Sequence, residues 1–187
     1  MDKLKQAVQT VKAVNIVEKG SSSDAPSSVM VAIRCRPFNQ RELNQEEEKI
    51  VIIKENGYAA LKPPDDSMPL REFNFDYTYD DDSIQADVYQ NLGAPLLDKA
   101  FGGWNGTIFA YGQTGAGKSF SMTGTGSMPG IIPQMNAAMF ERIAASTVDN
   151  PNKLFLVTCS FMEIYNEVLY DLLDPTMGSR GTNKTRK

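Results

Sequence analysis

The stretch that decides the fold is "GTIFAYGQTGAGKSFSMTG", residues 106–124. It begins with a short apolar run, passes through a glycine-rich loop, and continues into residues that favour a helix. Gly112–Ser119 match the pattern G-x-x-x-x-G-K-[ST], in which glycines let backbone N–H groups turn toward an anion. A chance match in a chain of this length is on the order of one per cent. The stretch therefore predicts a strand, loop and helix that bind the phosphates of a nucleotide, and a plain glycine-rich turn is the weaker alternative.

Two side chains at the end of this loop carry the expected chemistry. Lys118 would reach the β- and γ-phosphates, and the Ser119 hydroxyl would be one ligand of Mg²⁺. We therefore expect ATP or ADP with Mg²⁺, and Lys118 is the only catalytic candidate in the chain.

The composition bounds the class of protein. A length of 187 residues suits one domain, and 41% hydrophobic with 22% charged residues is ordinary for a globular protein. A net charge of −4 argues against a general nucleic-acid binder. The sequence contains no histidine, which excludes Ser-His-Asp triads and His-ligated zinc within this chain. No apolar run approaches the roughly 20 residues of a membrane span, so a cytoplasmic location is expected. Cys35 and Cys159 lie in apolar runs and are expected to be reduced core residues.

Strand and helix patterns alternate along the chain, which predicts an α/β fold. At the start of the chain the patterns indicate a short amphipathic helix or a disordered extension at 2–19, and a flexible linker at 20–28. A buried strand then begins at Val29 and ends at Pro37, and weaker strands follow at 49–54 and 71–77. The next segment, 84–101, has the pattern of a helix that is interrupted near Gly93 and Pro95. Further along the patterns indicate a strand in "GTIFAY", a helix from Lys118 that stops in "GTGSMPG" and restarts near Pro133, a buried strand at 153–165, a short helix in "NEVLYDLL", and a loop after Pro175.

Four stretches, taken in order, resemble the kinesin motor domain. "IFAYGQTGAGKSFSMTG" is similar to its phosphate loop, and "VAIRCRPFNQRE" to its first strand with the pattern R-x-R-P. "FNFDYTYDDDSIQADVY" is similar to the second strand and the helix that follows, and "SFMEIYNEVLYDLLDP" to the strand and turn with E-I-Y-N-E. The resemblance extends from Val29 to about Pro175. The residues "GAGKSFSM" and the ending "LLDP" are most similar to those of transport kinesins of the third class.

The resemblance implies a P-loop NTPase fold, in which a central sheet carries helices on both faces, present here only in part. It implies that Arg34, Arg36 and Pro37 line the adenine, although the two arginines could also be surface charges at a strand end. Phe120 would lie near the base or ribose. The phosphates and Mg²⁺ would be held by Gly112, Gln113, Thr114, Gly115, Ala116, Gly117, Lys118 and Ser119.

Other residues that match the family are expected to be structural. Residues 124–130 would be the loop that interrupts the helix beside the nucleotide, and Trp104 would be a packing residue. Four polar residues of the last stretch are expected to be structural or solvent-facing: Glu163, Asn166, Glu167 and Asp171.

Two motifs of the kinesin motor domain do not occur in these 187 residues, N-x-x-S-S-R-S-H and D-L-A-G-S-E. The resemblance makes both necessary for sensing the γ-phosphate, so the chain alone is expected to be inactive. We expect an extension and linker at 1–28, the N-terminal half of a motor domain at 29–175 and a basic loop or truncated end at 176–187. The expected function is the ATP-binding part of a motor that couples ATP hydrolysis to movement along microtubules. Tubulin would be bound by the parent motor, because the main microtubule-binding elements are expected to lie outside these 187 residues, and neither nucleic-acid binding nor a transmembrane segment is expected. The alternative is a non-hydrolysing nucleotide-binding or interaction module. Both edges of the "GTIFAY" strand are expected to lack a partner strand.

Overall fold

The computed structural model describes residues 8–14, 29–63, 65 and 68–175. The residues up to Arg142 form one compact unit, and those from Ile143 form a second. The strands are β1 (Val8–Val14), β2 (Val29–Cys35), β3 (Val51–Ile53), β4 (Tyr58–Leu61), β5 (Arg71–Asn74), β6 (Tyr77–Tyr79), β7 (Thr107–Tyr111), β8 (Gly124–Thr125), β9 (Met128–Pro129), β10 (Met162–Tyr165) and β11 (Val168–Asp171). The helices are α1 (Gln40–Asn44), α2 (Gln85–Val88), α3 (Ala94–Phe101), α4 (Lys118–Met122) and α5 (Ile131–Asp149).

A four-stranded sheet in the order β6-β2-β1-β7 organises the first unit. β2 pairs with β6 in parallel, as its apolar run on both faces predicted. β1 runs antiparallel to both of its neighbours, with Val8 opposite Cys35 in β2 and Thr10 opposite Tyr111 in β7. The N-terminal strand therefore connects the strand that ends in the arginines to the strand that leads into the phosphate loop.

Both alternatives for 2–19, the helix and the disordered extension, are wrong for the part that the structure describes, because residues 8–14 form β1. The sequence of this strand, "VQTVKAV", is rich in β-branched residues, which favour strands. Pairing on both edges also gives its backbone more hydrogen-bond partners than an isolated short helix, which is marginal in water. The expectation that both edges of the "GTIFAY" strand lack a partner strand is also wrong, because β1 pairs with one edge of β7. The linker expected at 20–28 lies outside the described residues.

A small apolar core lies against this sheet. It consists of five buried residues: Ala32, Tyr79, Val88, Leu92 and Ile131. These residues come from two strands of the sheet, from the helical segment after it and from the start of α5. The core thus fixes both helices against the strands that carry the site.

The predicted interruption of the first long helix is confirmed. α2 and α3 are joined by one π-helical turn, Tyr89–Gly93, and Pro95 lies in the first turn of α3. A Cβ at Gly93 would lie 2.6 Å from the ring of Tyr89, so the close approach of this ring requires glycine here. The expected strand in "GTIFAY" and the helix from Lys118 are also confirmed, and α5 begins two residues before Pro133.

A separate three-stranded sheet, in the order β3-β4-β5, contains the two weaker strands and one strand that was not predicted. The missed strand is β4, which follows a turn at Asn56 and Gly57 with φ values of 61° and 79°. An Asn-Gly pair between strand-forming residues is a hairpin signal, so the sequence did contain the information.

The second unit differs most from expectation. Residues 153–161 have no regular secondary structure, and Leu154 and Leu156 are 91% exposed. The buried strand expected at 153–165 is therefore wrong, because only β10 within it is a strand and all four residues of β10 are exposed. Cys159 is exposed rather than a core residue, whereas Cys35 is buried as expected. β10 and β11 form an antiparallel hairpin.

The helix expected in "NEVLYDLL" is also wrong, because half of this stretch, Val168–Asp171, lies in β11. The turn before that strand consists of Asn166 and Glu167, whose φ values of 49° and 62° are those of a two-residue hairpin turn. The turn sets the pairing of the two strands, and this pairing outweighs the helical preference of the leucines that follow. The basic loop expected at 176–187 lies outside the described residues.

A capping box at the start of α1 fixes the end of β2. The Asn39 side chain accepts a hydrogen bond from the Glu42 N–H, and the Glu42 carboxylate accepts one from the Asn39 N–H. The same carboxylate binds the Arg36 guanidinium through two bonds of 2.6 and 2.7 Å. The bond from Arg36 lowers the pKa of buried Glu42 to about 2, despite the opposing effect of burial.

We predict that Val11→Pro in β1 lowers the free energy of unfolding by at least about 1–3 kcal/mol, because it removes a backbone donor from a strand paired on both edges. Val11→Ala, which keeps the N–H, is the matched control. Urea unfolding followed by circular dichroism is the measurement. Equal stability of the two variants would contradict the pairing of β1.

We predict that Glu42→Gln lowers stability by about 1–3 kcal/mol at pH 7, since Arg36 loses its ionised partner. Because folding lowers the pKa of Glu42, its ionised carboxylate stabilises the fold above about pH 4.5, and this contribution is lost as the pH falls toward 2. The difference between variant and parent should therefore shrink over that range. Urea unfolding at pH 7 and pH 3 measures it, with the exposed Glu48→Gln as control. A difference independent of pH would contradict the assignment.

Candidate functional site

The glycine-rich loop, residues 112–117, lies between β7 and α4. Gly115 and Gly117 have φ values of 81° and 103°, a region that side chains other than glycine rarely adopt. No heavy atom lies within 4 Å of a Cβ built on Gly115, so the backbone conformation rather than lack of space requires glycine there. Such a loop can curve its N–H groups around an anion.

The lysine at the end of the loop folds back over it. The Lys118 ammonium donates hydrogen bonds to the carbonyl oxygens of Gly112 and Gln113, both at 2.8 Å. Ser119 follows in the first turn of α4, where its carbonyl accepts from the Thr123 N–H at 2.8 Å. The ammonium is thereby held at the loop, and a phosphate bound there would compete with two carbonyls for it.

A cavity of about 520 Å³ lies beside α4, within the size range of small-molecule sites. Five of the sequence-predicted residues line it: Arg34, Arg36, Pro37, Gly117 and Phe120. The remaining predicted residues do not line the cavity: 112–116 lie in the adjoining loop, and Lys118 and Ser119 are the first two residues of α4. Gly117 belongs to both, so loop and cavity are continuous.

Arg34 is the most constrained residue of the cavity wall. Its side chain is buried, with 5% of the residue exposed, so the alternative of a surface charge fails for it. The guanidinium donates to Gln85 Oε1 (2.6 Å) and Ser121 Oγ (3.0 Å), and to both the hydroxyl and the carbonyl of Ser83 (3.2 and 3.0 Å). It also lies 5.1 Å from the ring centroid of Phe120. Burial lowers the pKa of Arg34, and these contacts compensate the charge.

Arg36 is held in a different way. Its guanidinium is bound to Glu42, and this hydrogen bond raises the pKa of Arg36. The side chain is 19% exposed, so Arg36 is a partly exposed residue of the cavity edge with a fixed partner. Its charge is largely balanced before any ligand arrives.

Sequence reasoning missed several polar residues of the cavity wall, among them Asp81 and Asp82 and four that share a hydrogen-bond network with Arg34: Ser83, Gln85, Ser121 and Gln134. Gln134, in α5, donates to the carbonyls of Pro129 (2.8 Å) and Gly130 (3.3 Å). None of the four belongs to a pattern with a phosphate-binding or catalytic meaning. The available signal was the position of Gln85 at the start of a predicted helix, in the stretch after the second strand.

Trp104 and the four polar residues of the last stretch do not line the cavity, whereas Ser127, Met128 and Pro129 of the loop at 124–130 do. Trp104 is 45% exposed. Glu163 lies in β10, Asp171 in β11, and the Asn-Glu pair between these strands forms their turn. Within the residues that the structure describes, no cluster of three His, Cys, Asp or Glu side chains could hold a metal ion. No described helix is long and apolar enough to cross a membrane.

Comparison with known proteins identifies relatives over most of the chain. The family model of the kinesin motor domain matches residues 34–187. Kinesin-like protein KIF13A of Mus musculus is 43% identical over 175 residues, which covers 86% of this chain and 10% of that protein. Kinesin-related protein 1 of Dictyostelium discoideum is 41% identical over 177 residues, covering 85% and 8%. The chain thus spans about a tenth of the length of these relatives. KIF13A is a kinesin of the third class, and the sequence of the phosphate loop resembles that class as well.

The solved structures agree. KIF14 with ADP in complex with a microtubule superposes with a TM-score of 0.61 at 32% identity, over 83% of this chain and 43% of that one. This likeness confirms the expected fold, a kinesin-type sheet with helices that is present in part. Family match, sequence identity and fold lead to one conclusion. The chain belongs to the kinesin motor domain family.

Proposed function

We propose that the loop and the cavity together bind ATP or ADP, with the phosphates on Gly112–Ser119 and the base in the cavity, against the wall that Arg34 and Phe120 form. The observation that carries this proposal is the position of Gly117, which ends the loop and also lines the cavity. A nucleotide extends from its base to its phosphates, so a single site for it requires that the loop and the cavity adjoin. The solved relative KIF14, which contains ADP, supports this choice of ligand.

Two residues would act on the phosphates. Lys118 would exchange its bonds to the loop carbonyls for bonds to the β- and γ-phosphates. The Ser119 hydroxyl is a hard oxygen ligand of the kind Mg²⁺ prefers, and most of the remaining ligands would be phosphate oxygens and water. This fits a chain whose described part has no cluster of acidic metal ligands. Bound Mg²⁺ would neutralise phosphate charge.

The parent protein, in this proposal, is an ATPase that moves along microtubules in the cytoplasm. The family match and the microtubule complex of KIF14 support this. We propose further that residues 29–175 are the N-terminal half of the motor domain, between an extension at 1–28 and a basic loop at 176–187. Because neither γ-phosphate-sensing motif occurs in the 187 residues, this part alone would bind nucleotide without microtubule-stimulated turnover. A non-hydrolysing nucleotide-binding or interaction module is the second candidate.

We predict that Lys118→Ala weakens binding of Mg²⁺–ADP at least about tenfold, since hydrogen bonds to charged groups contribute about 1.5–3 kcal/mol. Titration of a fluorescent ADP analogue measures the affinity. Lys99→Ala, an exposed lysine of α3, is the matched control and should bind as the parent does. Unchanged affinity of Lys118→Ala would refute the proposed phosphate site.

We predict that microtubules leave the ATPase rate of the 187-residue chain unchanged. The reason is the absence of both γ-phosphate-sensing motifs, which the phosphate loop does not replace. Phosphate release with and without microtubules is the assay. A chain extended through both motifs is the positive control. Clear stimulation of the ATPase rate of the shorter chain by microtubules would refute this part of the proposal.

A further inference from the structure

Gln85 is a buried polar residue that the proposed phosphate chemistry does not use. It is the first residue of α2, and 7% of it is exposed. Its Oε1 accepts a hydrogen bond of 2.6 Å from the Arg34 guanidinium. Its Nε2 donates to the carbonyl of Phe120 at 2.6 Å and faces that of Met128 at 3.4 Å. Both ends of the amide are therefore engaged by the protein.

The two main partners of this amide contact each other. The Arg34 guanidinium lies 5.1 Å from the centre of the Phe120 ring, and both residues line the cavity. One side-chain amide is thus bonded to the cation through its oxygen and to the backbone of the aromatic residue through its nitrogen. This fixes the spacing of the guanidinium and the ring, because β2 and α4 are tied to the same group on α2.

The backbone of Gln85 is also held in place, by a hydrogen bond from α5. Gln134 of α5 donates to the backbone carbonyl of Gln85 at 3.2 Å. The same Nε2 also bonds the backbone before α5, at Pro129. A displaced Gln85 would therefore disturb four elements, and a buried amide that loses these partners pays for desolvation without compensation.

We infer that Gln85 is a positioning residue for the nucleotide base, acting through the Arg34–Phe120 pair rather than by contact with the phosphates. This inference rests on the proposed nucleotide site. Fixed cation–ring spacing gives a planar base a preformed wall, which lowers the ordering cost of binding. The phosphate loop keeps its own conformation through its glycines and Lys118, so the role of Gln85 is confined to the base end of the ligand.

The test compares two ligands that share phosphates but differ in the base. In Gln85→Met the side chain keeps its length and loses both hydrogen bonds. We expect its affinity for Mg²⁺–ADP to fall about tenfold, while its affinity for Mg²⁺–tripolyphosphate stays within about twofold of the parent. Isothermal titration calorimetry measures both. Gln90→Met, an exposed glutamine in the same helical segment, is the matched control and should change neither.

A double-mutant cycle shows whether Gln85 acts through the pair. In the Phe120→Leu background the ring is absent, and Gln85→Met should cost less than about threefold in ADP affinity. An undiminished tenfold loss would overturn the inference, as would equal losses for ADP and tripolyphosphate. If Gln85→Met does not fold, Gln85→Glu keeps the size and the acceptor for Arg34 and loses the donor to Phe120. It should still weaken ADP binding selectively, and equal losses for both ligands would again overturn the role.

The proposed function fails in a distinguishable way. If the parent chain binds tripolyphosphate but ADP no more tightly, the cavity is not a base site and the inference falls with it. If the parent binds ADP more tightly and Gln85→Met preserves that preference, the proposed function stands and only the role of Gln85 is wrong.

Discussion

The burial of the Arg34 charge is the constraint on which the rest of the site depends. A guanidinium with 5% exposure must be surrounded by acceptors, since an unpaired charge in the interior is very costly. Its acceptors come from Ser83, Gln85 and Ser121, and a ring from Phe120 covers it. These partners are 49 to 87 residues away in the sequence. Satisfying one charge therefore brings the end of β2, the start of α2 and the helix after the phosphate loop together around one cavity.

The sheet adds the second part of the arrangement. β1 pairs with β2 on one edge and with β7 on the other, so the strand ending in the arginines and the strand leading into the phosphate loop are held in one register. Both run in the same direction, because each is antiparallel to β1. Their carboxyl ends then lie at the same edge of the sheet, where ligands bind in open α/β folds. Strand pairing and the partners of Arg34 thus position the phosphate loop and the cavity at one place.

Local chemistry made part of this predictable. The phosphate loop follows from glycines at positive φ and from an adjacent Lys-Ser pair, and β7 and β2 follow from apolar runs. The role of β1 depends on two partners distant in the sequence, which overrode the helical pattern at 2–19. Residues 153–161 have a strand composition, yet such a composition produces a buried strand only where neighbours cover it. Gln85 and Ser121 are ordinary polar residues whose meaning appears only when Arg34 is found buried against them.

We propose that the phosphate loop and the cavity form one nucleotide site. Hydrogen–deuterium exchange of the chain with and without Mg²⁺–ADP tests this proposal. We predict that amides of residues 112–122 and of the segment around Arg34 and Gln85 become protected together, at the same ADP concentration, while β10 and β11 stay unchanged. Protection confined to one of these two regions, or absent from both, would contradict it.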